Sequence, residues 1–159
     1  MAFVHTQGVL LNKQYIPLEL SYIDPTNYQY TFLIQSPISY SDAIQQYNNV
    51  FPQAIMSTKI GIPYTEVVSF LQDRFTILNK APFLCKGNSF QPDVLKDAEI
   101  PYINVEKICN IPSIRRLEQQ FPYIDKRCCP FHKRPGIDKC AHHVVRLWME
   151  FNKSESTKN

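Results

Sequence analysis

The sequence lacks any apolar run approaching the roughly 18 residues of a membrane span, so no bilayer-crossing helix is expected. Its opening, Met-Ala-Phe-Val-His-Thr-Gln-Gly, has no basic start and no long apolar stretch, so it does not read as a secretory signal. Charge is sparse as well. Only 19% of residues are charged and the net charge is +3, a balance that permits contact with nucleic acid without demanding it. Internal repeats and linker-like stretches are also missing. These absences point to an intracellular protein in a reducing compartment, where clustered cysteines are metal ligands before they are disulfides. The odd cysteine count of five agrees.

What is present suits one globular unit. At 159 residues, 44% hydrophobic and 13% aromatic, the chain is long enough to bury about 68–70% of its unfolded surface. Residues 1–152 are expected to form the domain, and the polar stretch 153–159 to be a solvated, disordered tail.

The chemistry is concentrated between Cys128 and His143, which hold three of the five cysteines and three of the four histidines. Cys129, His132 and Cys140 form C-x2-H-x7-C, and the turn at Pro135-Gly136 lets the chain double back to deliver Cys140. Thiolate and imidazole suit zinc, which also tolerates distorted tetrahedra. Three ligands leave a fourth to be found. Cys128 competes with Cys129 for its place. His142 and His143, just after Cys140, are expected on the surface of the last helix or as supporting residues, and either is an alternative to His132. The structural alternative for the motif is a pair of buried thiols and an exposed loop histidine. Cys85 and Cys109 read as core thiols.

Periodicity gives the elements. Residues 2–10 read as a short strand and turn. In residues 14–23, Ile16, Leu18, Leu20 and Tyr22 alternate with Tyr15, Glu19 and Ser21, which predicts a strand. Asp24-Pro-Thr-Asn is turn chemistry, and 28–35 is a third strand. A polar helix from about Ser41 is expected. Thr65–Phe75 forms an amphipathic helix with Val67, Val68, Phe70, Leu71 and Phe75 inward. Residues 81–85 form a buried strand, followed by a helix over 90–96, a strand at 102–105 and a helix capped by Ser113. A last helix over 140–152 buries Val144, Val145, Leu147, Trp148 and Phe151. Three antiparallel strands followed by alternating helices and strands predict an α/β protein. Its mixed sheet, flanked by helices, has the RNase H-like layout of the DEDD exonucleases.

The resemblance extends to motifs. His5-Thr-Gln7-Gly8 stands where those enzymes carry Asp-Thr-Glu-Gly, and Lys86-Gly-Asn88-Ser-Phe90-Gln91 resembles their His-Asn-x-x-Phe-Asp. Two-metal phosphoryl chemistry needs carboxylates to clamp its ions. With His5, Gln7 and Gln91 in their place, that mechanism is expected to be lost. The chain also resembles the Maelstrom domain, an RNase H-like relative from animal piRNA-pathway proteins. Tyr15-Ile-Pro17-Leu-Glu19-Leu-Ser with Tyr30 to Pro37, Pro82-Phe-Leu-Cys-Lys86, and Cys129-Pro-Phe-His132 to Cys140-Ala carry that resemblance. It implies a Glu-Cys-His-Cys zinc site of Glu19, Cys129, His132 and Cys140, holding one structural ion. The expectation is a stand-alone member without the HMG box usual in that family.

The resemblance further implies single-stranded RNA and piRNA-pathway proteins as partners, and residence in perinuclear granules of the cytoplasm or in the nucleus. Transposon silencing is the expected role. Two alternatives stand beside it: a metal-independent nuclease of single-stranded RNA, and a protein-binding scaffold. The basic C-terminal third supplies the nucleic-acid candidates: Arg115, Arg116, Lys126, Arg127, Lys133, Arg134 and Lys139, with Tyr123 and Phe131 available to stack on bases. A solvated face interspersed with Glu118, Asp125 and Asp138 is the alternative there, and a solvated edge-strand carboxylate is the alternative for Glu19.

Overall fold

A computed structural model describes residues 1–11, 13–35, 61–87, 90–108, 110–124 and 140–158. The expected helix from Ser41 lies outside these residues. Five strands form one sheet: β1 (Phe3–Leu11), β2 (Gln14–Ile23), β3 (Gln29–Leu33), β4 (Phe83–Cys85) and β5 (Tyr102–Asn104), in the order β3-β2-β1-β4-β5. β2 runs antiparallel to both β1 and β3, while β1, β4 and β5 are parallel neighbours. Among the described residues four α-helices accompany the sheet: α1 (Tyr64–Ile77), α2 (Asp93–Asp97), α3 (Ile114–Gln120) and α4 (Ala141–Thr157). The protein is therefore α/β with a mixed sheet flanked by helices. No helix among the described residues is long and apolar enough to cross a membrane.

Alternation along the strands divides the sheet into two faces, because successive side chains point opposite ways. Val4, Leu20, Tyr22 and Phe32 face one side and pack with Val67 and Leu71 of α1 and Val94 and Leu95 of α2. Val67 and Leu71, one helical turn apart, have no exposed surface, while Phe70 and Phe75 pack at the margin. On the other side Phe3, Ile23 and Leu84 meet Leu117 of α3 and Val144, Val145, Leu147 and Trp148 of α4.

The first hairpin is kinked by a register shift between Gln7 and Gly8. A Cβ on Gly8 would stand 2.2 Å from the Ile16 carbonyl oxygen, so only glycine allows the strands to close here. At the other end of β2, Asp24 accepts from the Thr26 backbone N–H at 2.9 Å, which forms the Asx-type turn the sequence predicts. Ser113 accepts from the Arg116 N–H at 3.3 Å and caps α3 as expected.

One boundary differs. The residues expected as a disordered tail from 153 continue α4 to Thr157. Lys153 reaches the Asn27 side chain and pairs with Glu150 three residues back, and Lys158 pairs with Glu155. Polar composition removed the apolar signal there but left residues that tolerate a helix, and spaced pairs support its last turns.

Candidate metal centre

Glu19 sits on β2, an interior strand, opposite Gln7 of β1 and Leu33 of β3. Its alternation places it on the α4 face, and it is 0% exposed. The reading of Glu19 as a solvated edge residue is thereby excluded. The first residues of α4 cover it: its Oε1 accepts from the Ala141 backbone N–H at 2.9 Å and from the Cys140 thiol at 3.8 Å. Cys140 is itself 3% exposed and is the residue on which the helix begins. A carboxylate here satisfies one of the N–H groups that a helix start leaves unpaired, and it interacts favourably with the positive end of the helix dipole.

The pair therefore has two compatible uses. As a purely structural device, Glu19 caps α4 from across the sheet. As half of a metal centre, its spacing is suitable. With zinc–sulfur near 2.3 Å and zinc–oxygen near 2.1 Å, a tetrahedral angle sets a sulfur–oxygen separation of about 3.6 Å, close to the 3.8 Å found. The structure brings together these two sequence-predicted ligands, which are 121 positions apart. Cys129 and His132 lie outside the described residues, as does Cys128. Among the described residues, no group of three or more His, Cys, Asp or Glu side chains is placed to hold a metal ion.

Of the histidines after Cys140, His143 is buried and His142 half-buried, the supporting rather than the surface placement. His143 is 2% exposed and its Nε2 lies 3.2 Å from Glu118 Oε1, which joins α4 to α3. His142 Nδ1 lies 2.8 Å from the Thr31 hydroxyl, which in turn lies 2.8 Å from the Ser21 hydroxyl. Gln29 donates to the His142 carbonyl at 3.1 Å. The helical offset from Cys140 leaves surface and supporting positions both open, and the choice depends on what covers the first turn of α4. Because β2 and β3 run beneath it, that turn is covered.

The positions expected to have lost nuclease acids are engaged in other ways. His5 and Gln7 share the Glu19 face, and the Gln7 amide nitrogen lies 3.2 Å from His5 Nε2. Burial, and secondarily the Lys86 charge, push the His5 imidazole down to about 4, so it is neutral near pH 7 and its Nε2 can accept from the amide. Gln91 does something else. Past Phe3, the edge of β1 that faces β4 has no strand partner among the described residues, and the Gln91 carboxamide fills that role. Its Oε1 accepts from the Thr6 N–H at 2.6 Å and from the Thr6 hydroxyl at 3.1 Å, and its Nε2 donates to the Thr6 carbonyl at 2.8 Å. A carboxamide can copy a peptide group in this way because it both donates and accepts.

Sequence reasoning missed a second polar centre, on the opposite face. Asp24, 0% exposed, accepts from Arg74 at 2.6 Å and from the Tyr22 hydroxyl at 2.9 Å. Arg74 also stacks over Tyr28 at 4.4 Å. Burial alone would raise the Asp24 carboxyl, but the hydrogen bonds from Thr26, Arg74 and Tyr22 outweigh it and hold the pKa below the usual carboxylate value. Turn chemistry at Asp24 was legible; the partner 50 residues away on α1 left no local signal.

Of the predicted nucleic-acid residues, Arg115 and Arg116 are exposed on α3. Lys126, Arg127, Lys133, Arg134 and Lys139 fall outside the described residues. No family model matches the chain, and no curated protein sequence matches it.

Proposed function

We propose that the chain is a zinc-stapled, catalytically degenerate RNase H-like module of the Maelstrom type that binds single-stranded RNA in small-RNA-guided transposon silencing. The observation that carries this reading is the buried contact between Glu19 and Cys140, two of the four ligands that the motif resemblance requires. Cys129 and His132 would complete a closed four-coordinate site. Zinc bound there supplies folding free energy rather than an activated water, because structural sites leave no open position. Glu19 anchors the site to the middle of the sheet and orients it through the Ala141 N–H.

The mixed sheet flanked by helices, with β2 antiparallel to its neighbours, supports the RNase H-like reading. The loss of two-metal nuclease chemistry is supported by what stands at the acid positions. A neutral imidazole and two amides do not supply the anionic oxygen donors that paired hard cations need. Arg115 and Arg116 would contribute to a basic surface that tracks phosphates. Residence in the nucleus or in perinuclear granules, and piRNA-pathway protein partners, belong to the same proposal.

Glu19→Gln tests the reading. It keeps an acceptor for Ala141 N–H but removes the charge that a metal needs. The expected result is reduced zinc content and a lower melting temperature, with variant and unaltered protein converging once a chelator is added. A variant that melts like the unaltered protein and retains full zinc overturns the metal role of Glu19.

A further inference from the structure

On the face of the sheet opposite Glu19 and Cys140, a cleft of about 400 Å³ opens between the start of β2, the end of β3 and helix α2. Since Tyr15 pairs with Leu10 and Ile16 with Val9, the cleft lies at the carboxyl end of β1. In α/β sheets this is the end where ligands gather. Its floor is apolar and fixed, because Ile34 and Val94 belong to the buried core. Its walls include two tyrosine rings held from behind. The Tyr15 hydroxyl lies 2.9 Å from Thr6 Oγ1, and its ring stacks on Phe90 at 4.9 Å. The Tyr64 hydroxyl donates to Asp97 Oδ2 at 2.6 Å.

Charge in the cleft is unbalanced. Asp93 and Asp97, four residues apart on α2, face it together with Lys96, the one cation among the described lining residues. Those described residues sum to one net negative charge. The phenols add none. Burial raises both, with a further contribution from Asp93 at Tyr15 and from Asp97 and then Asp93 at Tyr64, and Tyr15 is pushed up to about 12. The rim carries Gln14 and Gln35, both exposed, whose amides can bond a peptide backbone in either sense.

We propose that this cleft binds an arginine side chain presented on an extended peptide of a partner protein, with Tyr15 and Tyr64 as aromatic walls and Asp93 and Asp97 as counter-charges. A guanidinium matches the site because it stacks flat on aromatic faces while its N–H fork bonds carboxylates. The apolar floor receives the methylene stem. Lysine fits less well, since its ammonium is compact and strongly hydrated and does not stack. A cleft of this size falls within the roughly 300–1,000 Å³ range of ligand sites and leaves room for the flanking backbone. The proposal is independent of the metal reading, which concerns the other face.

The test is a titration of the full chain with N-acetyl-arginine methylamide, its lysine counterpart, and its citrulline counterpart, which keeps the shape without the charge. Calorimetry gives the affinity, and NMR shifts of the tyrosine rings and of the α2 amides give the location. Saturable binding at the cleft is expected, several-fold weaker for lysine and about tenfold or more weaker for citrulline, the factor for one charge-assisted hydrogen bond. The double variant Asp93→Asn, Asp97→Asn should lose arginine binding by a similar factor while melting as before. Citrulline binding as tightly as arginine, shifts that map elsewhere, or a folded double variant with unchanged affinity would each overturn the proposal. If the double variant does not fold, the arginine–citrulline contrast on the unaltered chain decides.

Discussion

Gln91→Glu should destabilise the protein, even though it introduces the kind of acid that a nuclease would carry. The substitution exchanges one NH₂ for one oxygen and changes the shape of the side chain little. Thr6 N–H and the Thr6 hydroxyl, now 2.6 and 3.1 Å from Oε1, can still donate to a carboxylate. The bond from Nε2 to the Thr6 carbonyl, 2.8 Å long, becomes two oxygens facing each other. A buried carbonyl left without its donor costs about 1–3 kcal/mol. Gln91 is only partly buried, so the lower half of that range is expected. For a chain of this size each kcal/mol shifts the melting temperature by about 2–4 °C. The pH dependence identifies the cause. A protonated carboxyl can donate to the Thr6 carbonyl again, so the fold favours the neutral form and raises its pKa above the ordinary value of about 4.3. The deficit relative to the unaltered protein is therefore full well above that raised pKa and shrinks as pH falls through it. Thermal and urea unfolding of both proteins at pH 7.5 and pH 5 measures this. A variant as stable as the parent at pH 7.5, or a deficit that does not change with pH, refutes the account of Gln91 as a surrogate strand partner.

Other outcomes follow from the same geometry. Arg74→Leu strands the buried Asp24 carboxylate and should cost about 3 kcal/mol, the low end for breaking a buried pair, because Tyr22 and Thr26 still donate to it; chemical denaturation reads this. Asp24 has a depressed pKa in the fold, so the stability it contributes is present above its unfolded value near 3.9 and lost as pH falls through the folded one. Asp24→Asn should accordingly flatten the stability profile below about pH 4, and an unchanged acid profile counts against the cluster. His5 is likewise held below its unfolded value, so its contribution is present above about pH 6.5 and declines as pH falls toward 4. NMR titration of the ring should find it neutral at pH 6. On the proposed RNA-binding reading, Arg115→Ala with Arg116→Ala should weaken RNA binding and reduce its dependence on salt by up to about two counterions; an unchanged salt slope, or no RNA binding by the unaltered chain, removes these residues from the interface.

Much of the framework was legible because it rests on local patterns. The β2 strand from Gln14 to Ile23, the Asp24 turn and the Ser113 cap follow from alternation and from short side chains bonding nearby backbone. Val67 and Leu71 marked the inward face of α1 by helical spacing. The pairing of Glu19 with Cys140 was legible for a different reason, since only motif resemblance links positions so far apart. What stayed hidden depends on tertiary placement. The burial of His143 against Glu118, the reach of Arg74 to Asp24 and the docking of Gln91 on Thr6 each join elements whose contact no local period encodes. Gln91 in particular reads as a degraded acid in sequence and as a ladder partner in space.

The central claim is that Glu19 and Cys140 belong to one zinc site. X-ray absorption at the zinc edge on the purified full chain, with zinc quantified in the same sample, tests it most directly. The account predicts one zinc per chain with two sulfur donors near 2.3 Å and two nitrogen or oxygen donors near 2.0–2.1 Å, and loss of one lighter donor in Glu19→Gln. A protein that melts cooperatively without stoichiometric zinc, or a zinc shell unchanged by Glu19→Gln, would contradict it.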